Sequence, residues 1–154
     1  MSERRQLLKK NELLASLDDA ILDEFTDSAR EQQFAKGDIL TAELVHGDEI
    51  YLILEGEISI GIELAGGDSD SHQLTEGAGQ FVGLIHFLEE TPSHATEIAV
   101  TDVKVLAWKA SDWRDICERH PKAGYRIAVG ISKMLVQRML HFNMHMLDSM
   151  SWGI

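Results

Sequence analysis

The segment from Gly79 to Thr96 carries residue types and a spacing suited to holding a small anion. Gly79 and Gly83 enclose a bulky apolar pair, and a helix-like run from Leu84 to Glu90 follows the second glycine. Glycine lets the backbone approach a ligand closely, and the N–H groups of a helix's first turn attract negative charge. The segment therefore predicts an anion-binding turn. Glycine before a helix is also a common structural feature, so the surrounding elements decide between the two interpretations.

Histidine and cysteine side chains are the other candidates for chemistry. His141 and His145 are four residues apart, which puts them on one face of a helix and supplies half of a metal site. A polar stripe on that helix is the simpler interpretation, and the sequence contains no His-x-His pair. We expect Cys117 to pack as a small apolar residue rather than to act as a nucleophile. We therefore expect no catalytic residue, no metal ligand and no enzyme activity.

Composition narrows the classes of partner. The chain has 26 Asp and Glu against 14 Lys and Arg, a net charge of −12, which argues against binding of DNA or RNA by this chain itself. The single cysteine fits a reducing compartment. Neither a signal-peptide core nor a run of about 20 apolar residues is present, so we expect a cytoplasmic location and no membrane association.

Periodicity divides the chain, most simply a single domain over 1–154, into three parts. Residues 1–29 predict N-terminal helices, one of them from Arg4 to Leu17. Residues 110–154 predict C-terminal helices. Between them, residues 30–109 contain short strand-like runs bounded by glycine or aspartate. These runs are Arg30–Phe34, Ile39–Leu44, Glu49–Leu54, Glu57–Leu64, His72–Thr75, His94–Val100 and Val103–Lys109. The predicted fold class is mainly β with flanking helices, as an antiparallel β-roll of the double-stranded jelly-roll type.

The longest periodic segment, from Pro121 to about Met150, predicts one long C-terminal helix. An apolar seam with gaps alternating between three and four is typical of packing between helices. The seam consists of Tyr125, Ala128, Ser132, Leu135, Met139, Phe142 and Met146. It favours a homodimer through this helix, although a helix buried within a monomer would show a similar pattern. Arg138 interrupts the apolar run. It could pair with a residue across the dimer, reach toward a ligand pocket, or be exposed to solvent, and the sequence does not distinguish these three alternatives.

Several motifs resemble one known family. They are Phe34–Asp38, the run Gly47–Ile58 with its Tyr-x-Ile-x-x-Gly-Glu pattern, Gly79-x-Phe81-Val82-Gly83, and Pro92-x-x-Ala95-Thr96. Together they resemble the cyclic-nucleotide-binding domain, the effector half of the catabolite-activator and fumarate-nitrate regulator family. The resemblance covers roughly Leu13 to Phe142 and includes residues 79–96 as the family's phosphate-binding cassette.

The resemblance implies a ligand held between the roll, the cassette and the long helix, and dimerisation through that helix. The ligand it implies is cyclic AMP or cyclic GMP. The ligand-binding positions it implies are Gly83, Leu84, Ile85, Ser93, His94, Ala95 and Thr96, with a contact from Arg138 on the helix.

Two departures from the family pattern argue against tight binding of a cyclic nucleotide. The family has Glu after the second glycine, where it accepts a hydrogen bond from the ribose, and here that residue is Leu84. The family's phosphate-binding Arg falls at Ser93 or His94, and a neutral hydroxyl or imidazole cannot replace a guanidinium, which pairs with phosphate through two parallel bonds. The chain also ends at Ile154, so we expect no helix-turn-helix domain after the long helix.

Two functions from different classes remain. The first is a regulatory module that binds a small molecule and signals through the long helix, with low cyclic-nucleotide affinity. The second is a dimerisation or docking module with a vestigial pocket and a partner protein. An open pocket would favour the first, and a pocket filled by its own side chains would favour the second.

Overall fold

The structure, a computed structural model, describes residues 2–41, 47–61, 73–90 and 95–151. Ser93, His94 and the predicted loop 65–71 lie outside these residues, as do the side chains of Phe142 and Met146. The helices are α1 (Glu3–Lys9), α2 (Asp19–Ser28), α3 (Ile85–Leu88), α4 (Ala110–Arg119) and α5 (Pro121–Ser151). The strands are β1 (Arg30–Phe34), β2 (Ile39–Thr41), β3 (Glu49–Glu55), β4 (Ile58–Gly61), β5 (Gln73–Glu76), β6 (Phe81–Val82), β7 (Thr96–Ala99) and β8 (Val103–Lys109).

Two antiparallel four-stranded sheets form the roll, which confirms the predicted fold class. Their strand orders are β1-β8-β3-β6 and β2-β7-β4-β5. Strands β1 and β8 have the bounds that the sequence predicts, whereas the two-residue β6 is too short to leave a periodic signal. The central pair, β3 and β8, is in register from Glu49 opposite Lys109 to Ile53 opposite Val105.

The first sheet is buried on both faces, because alternate residues of β3 and β8 enter two different cores. Ile50 and Trp108 face the helices, where they pack with Phe25 and Trp113. Tyr51 and its neighbours on the same face enter the space between the two sheets. The residues of that inner core are Tyr51, Ile53, Ile58, Val82, Ala99, Val103, Val105 and Ala107. The unbroken apolar run of β3 reflects this two-sided burial.

The first helix is shorter than the sequence predicts. α1 ends at Lys9, and turns replace the expected helix up to Leu17. The Asn11 side chain explains the break, since its Oδ1 accepts from the Leu13 N–H at 3.0 Å and its Nδ2 donates to the Gly79 carbonyl at 3.0 Å. Asparagine often competes with helical hydrogen bonding in this way. The N-terminal segment is thereby fastened to the start of the cassette.

Helix α5 changes its surroundings along its length. Ala123, Ile127 and Ile131 are buried against the domain. Apolar side chains on the following turns are exposed, and Met139, for example, is 55% exposed. One face of the helix therefore packs on its own domain while another presents apolar surface.

Two glycines shape the cassette through left-handed backbone conformations. Gly79 has φ +85° and Gly83 has φ +83°, a region that side-chain-bearing residues rarely adopt. A Cβ on Gly83 would lie 2.5 Å from the Glu49 carbonyl oxygen, whereas a Cβ on Gly79 would have nothing within 4 Å. The turn at Gly83 therefore needs glycine for two reasons and the turn at Gly79 for one.

Substitution of alanine at these two glycines separates the two reasons. We expect Gly79→Ala to lower the free energy of unfolding by about 1 kcal/mol, the cost of a left-handed residue. Gly83→Ala should cost roughly 3 kcal/mol, because the Glu49 carbonyl belongs to a paired strand and the backbone must move. Urea denaturation of both variants measures the difference. Equal losses would contradict the close approach at Gly83.

Candidate functional site: a cavity between the cassette, the roll and helix α5

The cassette is held at its first residue and at α3. The Gly79 N–H donates to the Ile53 carbonyl at 2.8 Å. Arg114 of α4 donates to the His86 carbonyl within α3 at 2.6 Å and pairs with Glu90, just after α3, at 3.1 Å. The roll and α4 thus fix the position of α3.

Helix α3 offers an anion fewer donors than the sequence suggests. It spans four residues, and the N–H groups of His86 and Phe87 already donate to the carbonyls of Gly83 and Leu84 at 3.0 and 3.1 Å. A one-turn helix also has a small dipole, because the dipole grows with aligned peptide units. The anion-binding turn remains a prediction with a reduced set of donors.

A cavity of about 370 Å³ lies between the cassette, the second sheet and α5. Its volume falls within the range of small-molecule sites. The apolar lining consists of Ile60, Phe81, Val82, Gly83, Leu84, Ile85, Leu88, Ala95, Ile131, Met134 and Leu135. The charged residues at the described lining are Glu89, Glu97 and Arg138.

The predicted ligand-binding residues are distributed unevenly around this cavity. Gly83, Leu84, Ile85 and Ala95 line it. Thr96 does not belong to the described lining; it lies in β7 opposite Gly61 and points away from the face that carries Glu97. Ser93 and His94 fall outside the described residues. The role of these positions in binding therefore stays a prediction.

Arg138 of α5 reaches the roll. Its guanidinium pairs with the carboxylate of Glu76 in β5, a side chain that is almost fully buried. Arg138 lines the cavity and its side chain is 49% exposed, so the reach toward the pocket and solvent exposure both stay predictions for it. Its charge is shared with Glu76, so a ligand would meet a neutralised ion pair.

Glu97 is the functional candidate that sequence reasoning missed. It is 5% exposed and lies in β7 directly opposite Ile60 of β4, and both residues line the cavity. Residues opposite each other in antiparallel strands share a face. The carboxyl group has a hydrogen bond with the Thr41 side chain, but its Oε2 is buried without a partner in the described part of the chain. Burial raises the pKa of Glu97 to about 7, despite the opposing effect of Thr41.

The predicted dimer face is exposed where the structure describes it. Tyr125 is 71% exposed, and Ser132, Leu135 and Met139 are exposed as well, while Ala128 is half-buried. These residues therefore form an apolar stripe on α5 that its own domain does not cover. The stripe is called the α5 seam below.

The cysteine and histidine candidates for chemistry lie in surroundings that suit a structural role. Cys117 is buried, and burial raises the pKa of its thiol to about 11, which opposes nucleophilic chemistry. His120 lies 2.7 Å from the Glu24 carboxylate. Among the described residues, no group of three or more His, Cys, Asp or Glu is placed to hold a metal ion. In the same residues, no helix has the length and apolar content needed to cross a bilayer.

Comparison with known proteins places this chain in a family. The family model for the cyclic nucleotide-binding domain matches residues 31–120, and the chain belongs to that family. The resemblance to the effector domains of the catabolite-activator and fumarate-nitrate regulator family is thereby confirmed. No curated protein sequence matches the chain.

Solved structures share the fold. The N-terminal domain of a transcriptional regulator from Streptomyces coelicolor A3(2) is 26% identical with a TM-score of 0.71, over 88% of this chain and 94% of that one. The catabolite activator protein of Thermus thermophilus is 21% identical with a TM-score of 0.72, over 86% and 62%. The sensor domain of the regulator DNR from Pseudomonas aeruginosa is 18% identical with a TM-score of 0.74, over 88% and 90%.

Replacing Glu97 by glutamine should change how stability depends on pH. A carboxyl group whose pKa is about 7 in the folded chain and 4.5 in the unfolded chain destabilises the fold increasingly as pH rises through that interval. We expect the stability of Glu97→Gln, relative to the natural chain, to rise by about 2–3 kcal/mol between pH 5 and pH 8.5. Urea denaturation at both pH values measures this difference.

The control is Glu118→Gln, which removes an exposed carboxylate from α4. Its stability relative to the natural chain should be nearly the same at both pH values. A Glu97→Gln variant that behaves like this control would contradict the buried, proton-binding state of Glu97.

Proposed function

We propose that this chain is a non-catalytic regulatory module that senses a small molecule in the cavity and signals through α5. The observation that carries the proposal is the double role of α5. Ile131, Met134 and Arg138 line the cavity from this helix, and Leu135 both lines it and belongs to the α5 seam. A change at the cavity and a change at the seam are therefore changes in the position of one helix.

The signalling step follows from differential contact. A ligand shifts a conformational equilibrium only by the difference between its affinities for the two states. A ligand touching Met134 and the Arg138–Glu76 pair would favour one position of α5 over others, since these groups connect the helix to the roll. Small sliding movements of packed helices are a common form of such a response.

We further propose that two copies of the chain associate through the α5 seam. Contiguous apolar surface on a soluble protein usually marks an interaction site. The three-and-four spacing of the seam suits another helix, and a second copy presents the same spacing to the first in a two-fold arrangement. A second copy is thus the occupant whose shape fits this surface.

Cyclic nucleotides should bind weakly to the proposed site. Leu84 offers no acceptor to a ribose hydroxyl, and Arg138 is already paired with Glu76. Glu97 and Glu89 place carboxyl groups at the lining, where a phosphate would be repelled whenever they are ionised. These features support a sensor whose ligand differs from the one that the family resemblance implies.

The docking alternative keeps one supporting observation, the exposed α5 seam, which a partner protein could also cover. The cavity supports the sensor function, because a vestigial pocket filled by its own side chains would leave less empty volume than the 370 Å³ or so among the described residues. We therefore place the sensor first.

A charge in the α5 seam should separate the proposed dimer. We expect the natural chain to run at twice 17.2 kDa in light scattering at micromolar concentration. Met139→Glu should raise the dissociation constant at least tenfold, since a buried carboxylate at the seam costs more than about 1.4 kcal/mol. The control, Gln137→Glu, adds the same charge on a different face of α5, beside the groove that the N-terminal segment lines. A natural chain that stays monomeric would contradict the dimer.

Restoring the family's two polar groups tests the affinity for cyclic nucleotides. The natural chain should show no rise in Tm with 1 mM cyclic AMP or cyclic GMP. We expect the double variant Leu84→Glu with Ser93→Arg to gain a rise, because it regains the ribose acceptor and the phosphate-binding guanidinium. The matched control is the single variant Leu84→Glu, which lacks the guanidinium. Strong stabilisation of the natural chain would contradict the proposed loss of affinity.

A further inference from the structure

The described lining of the cavity combines apolar walls with three charged residues, of which Glu97 is the buried one. Phe81, Leu84 and Met134 are typical of its walls. Glu97 lies in the strand that closes one side, and it is the only charged residue at the described lining that is both buried and left with an unpartnered oxygen. A ligand filling this space would be mostly apolar, with its polar atoms directed to one place.

The charge balance around Glu97 favours a positive ligand group over a negative one. Arg138, the cation of the described lining, shares its charge with Glu76. Glu89 adds a second carboxylate at the edge of the cavity. A ligand anion would therefore meet no unshared positive side chain in the described lining, whereas a cation would find a carboxyl group that is short of donors.

The uncompensated desolvation of Glu97 is the reason why a ligand that supplies a hydrogen-bond donor would bind favourably. A buried carboxylate with a single donor loses its hydration without full compensation. Its partner among the described residues, Thr41, is a neutral hydroxyl. An N–H donor on a cation would supply a charge-assisted hydrogen bond, the stronger kind.

We propose that the cavity binds a small primary amine, whose ammonium group pairs with Glu97 and whose apolar body packs against Phe81, Leu84 and Met134. The proposal rests on the proposed sensor function and gives its ligand a chemical class. The amine carries one positive charge and an aromatic or branched aliphatic body.

Binding of such an amine should release a proton. Without ligand, the pKa of Glu97 is about 7 because of burial, and an adjacent ammonium group stabilises the ionised form. The other charged groups at the described lining are Glu89 and Arg138, the latter paired with Glu76. Outside the lining, the phenol of Tyr51 interacts with Glu97, and its pKa is raised to about 12 by burial and by the Glu97 carboxylate. The affinity for the amine should therefore rise with pH between about 6 and 8.

The test uses three probes of matched size: phenethylamine, phenethyl alcohol and 3-phenylpropionate. Isothermal titration of the full chain at pH 6.8, in PIPES and in ACES, measures affinity and proton release together. We expect phenethylamine to bind most tightly and to release about half a proton or more. Glu97→Gln should weaken the affinity for phenethylamine about tenfold to hundredfold and abolish the proton release, while the affinity for phenethyl alcohol stays nearly unchanged.

The control Glu118→Gln should bind all three probes as the natural chain does. Urea denaturation of Glu97→Gln shows independently whether that variant is folded. Tighter binding of 3-phenylpropionate or of cyclic AMP than of phenethylamine would overturn the amine proposal and leave the sensor function standing. Equal loss of all three probes in Glu97→Gln would also overturn it. Absence of binding by every probe and by cyclic AMP would count against both the amine and the cavity's role as a sensor site.

Discussion

A carboxyl group buried beside an apolar cavity is the constraint on which the proposed binding site depends. Glu97 cannot be both ionised and isolated without a large cost, so it must hold a proton or find a donor. Its neighbours in β7 and β4 fix it on the cavity face, so it cannot turn to solvent. Arg138, the cation of the described lining, is paired with Glu76. A ligand that supplies a positively charged donor would resolve the conflict.

The rest of the fold directs the response to such a ligand toward α5. The turn at Gly83 holds the cassette against β3, and Arg114 holds it against α4. One face of helix α5 is buried up to Ile131, and beyond that point Met134, Leu135 and Arg138 line the cavity, with the Arg138–Glu76 pair as a described contact to the roll. Because the contacts with β3 and α4 fix Gly83 and α3, we expect the part of α5 beyond Ile131 to respond first to a ligand. This asymmetry is what a module that signals through its C-terminal helix requires.

Much of the fold could be predicted from the sequence, because its signals are local. Glycine and aspartate lie between the predicted strands, the helical period extends over most of α5, and Pro121 begins α5 after α4 ends at Arg119. The predicted first helix is longer than α1, because hydrophobic periodicity carries no signal for the side-chain hydrogen bonds of Asn11 with Leu13 and Gly79. Cassette positions Gly83, Leu84, Ile85 and Ala95 could be named from the motif alone, but their place at a cavity required the packing of α5.

Glu97 could not be found from local pattern. Hydrophobicity alone would turn Ile98 toward the core and Glu97 toward water. The register with β4 does the opposite, since Glu97 lies opposite Ile60, and Ile98 lies opposite Ser59 and is 38% exposed. The phase of a four-residue strand depends on its neighbours, and a one-residue shift exchanges its faces. The family motif marks Leu84, Ser93 and His94, and it carries no information on which face of β7 is buried.

The most direct measurement is the carbon-13 NMR titration of the Glu97 side-chain carboxyl, assigned by comparison with Glu97→Gln and recorded with and without phenethylamine. We expect a midpoint near pH 7 in the free protein and a clearly lower midpoint in the bound protein. A free midpoint near the ordinary 4.5, or a midpoint that the amine leaves unmoved, would contradict the proposal.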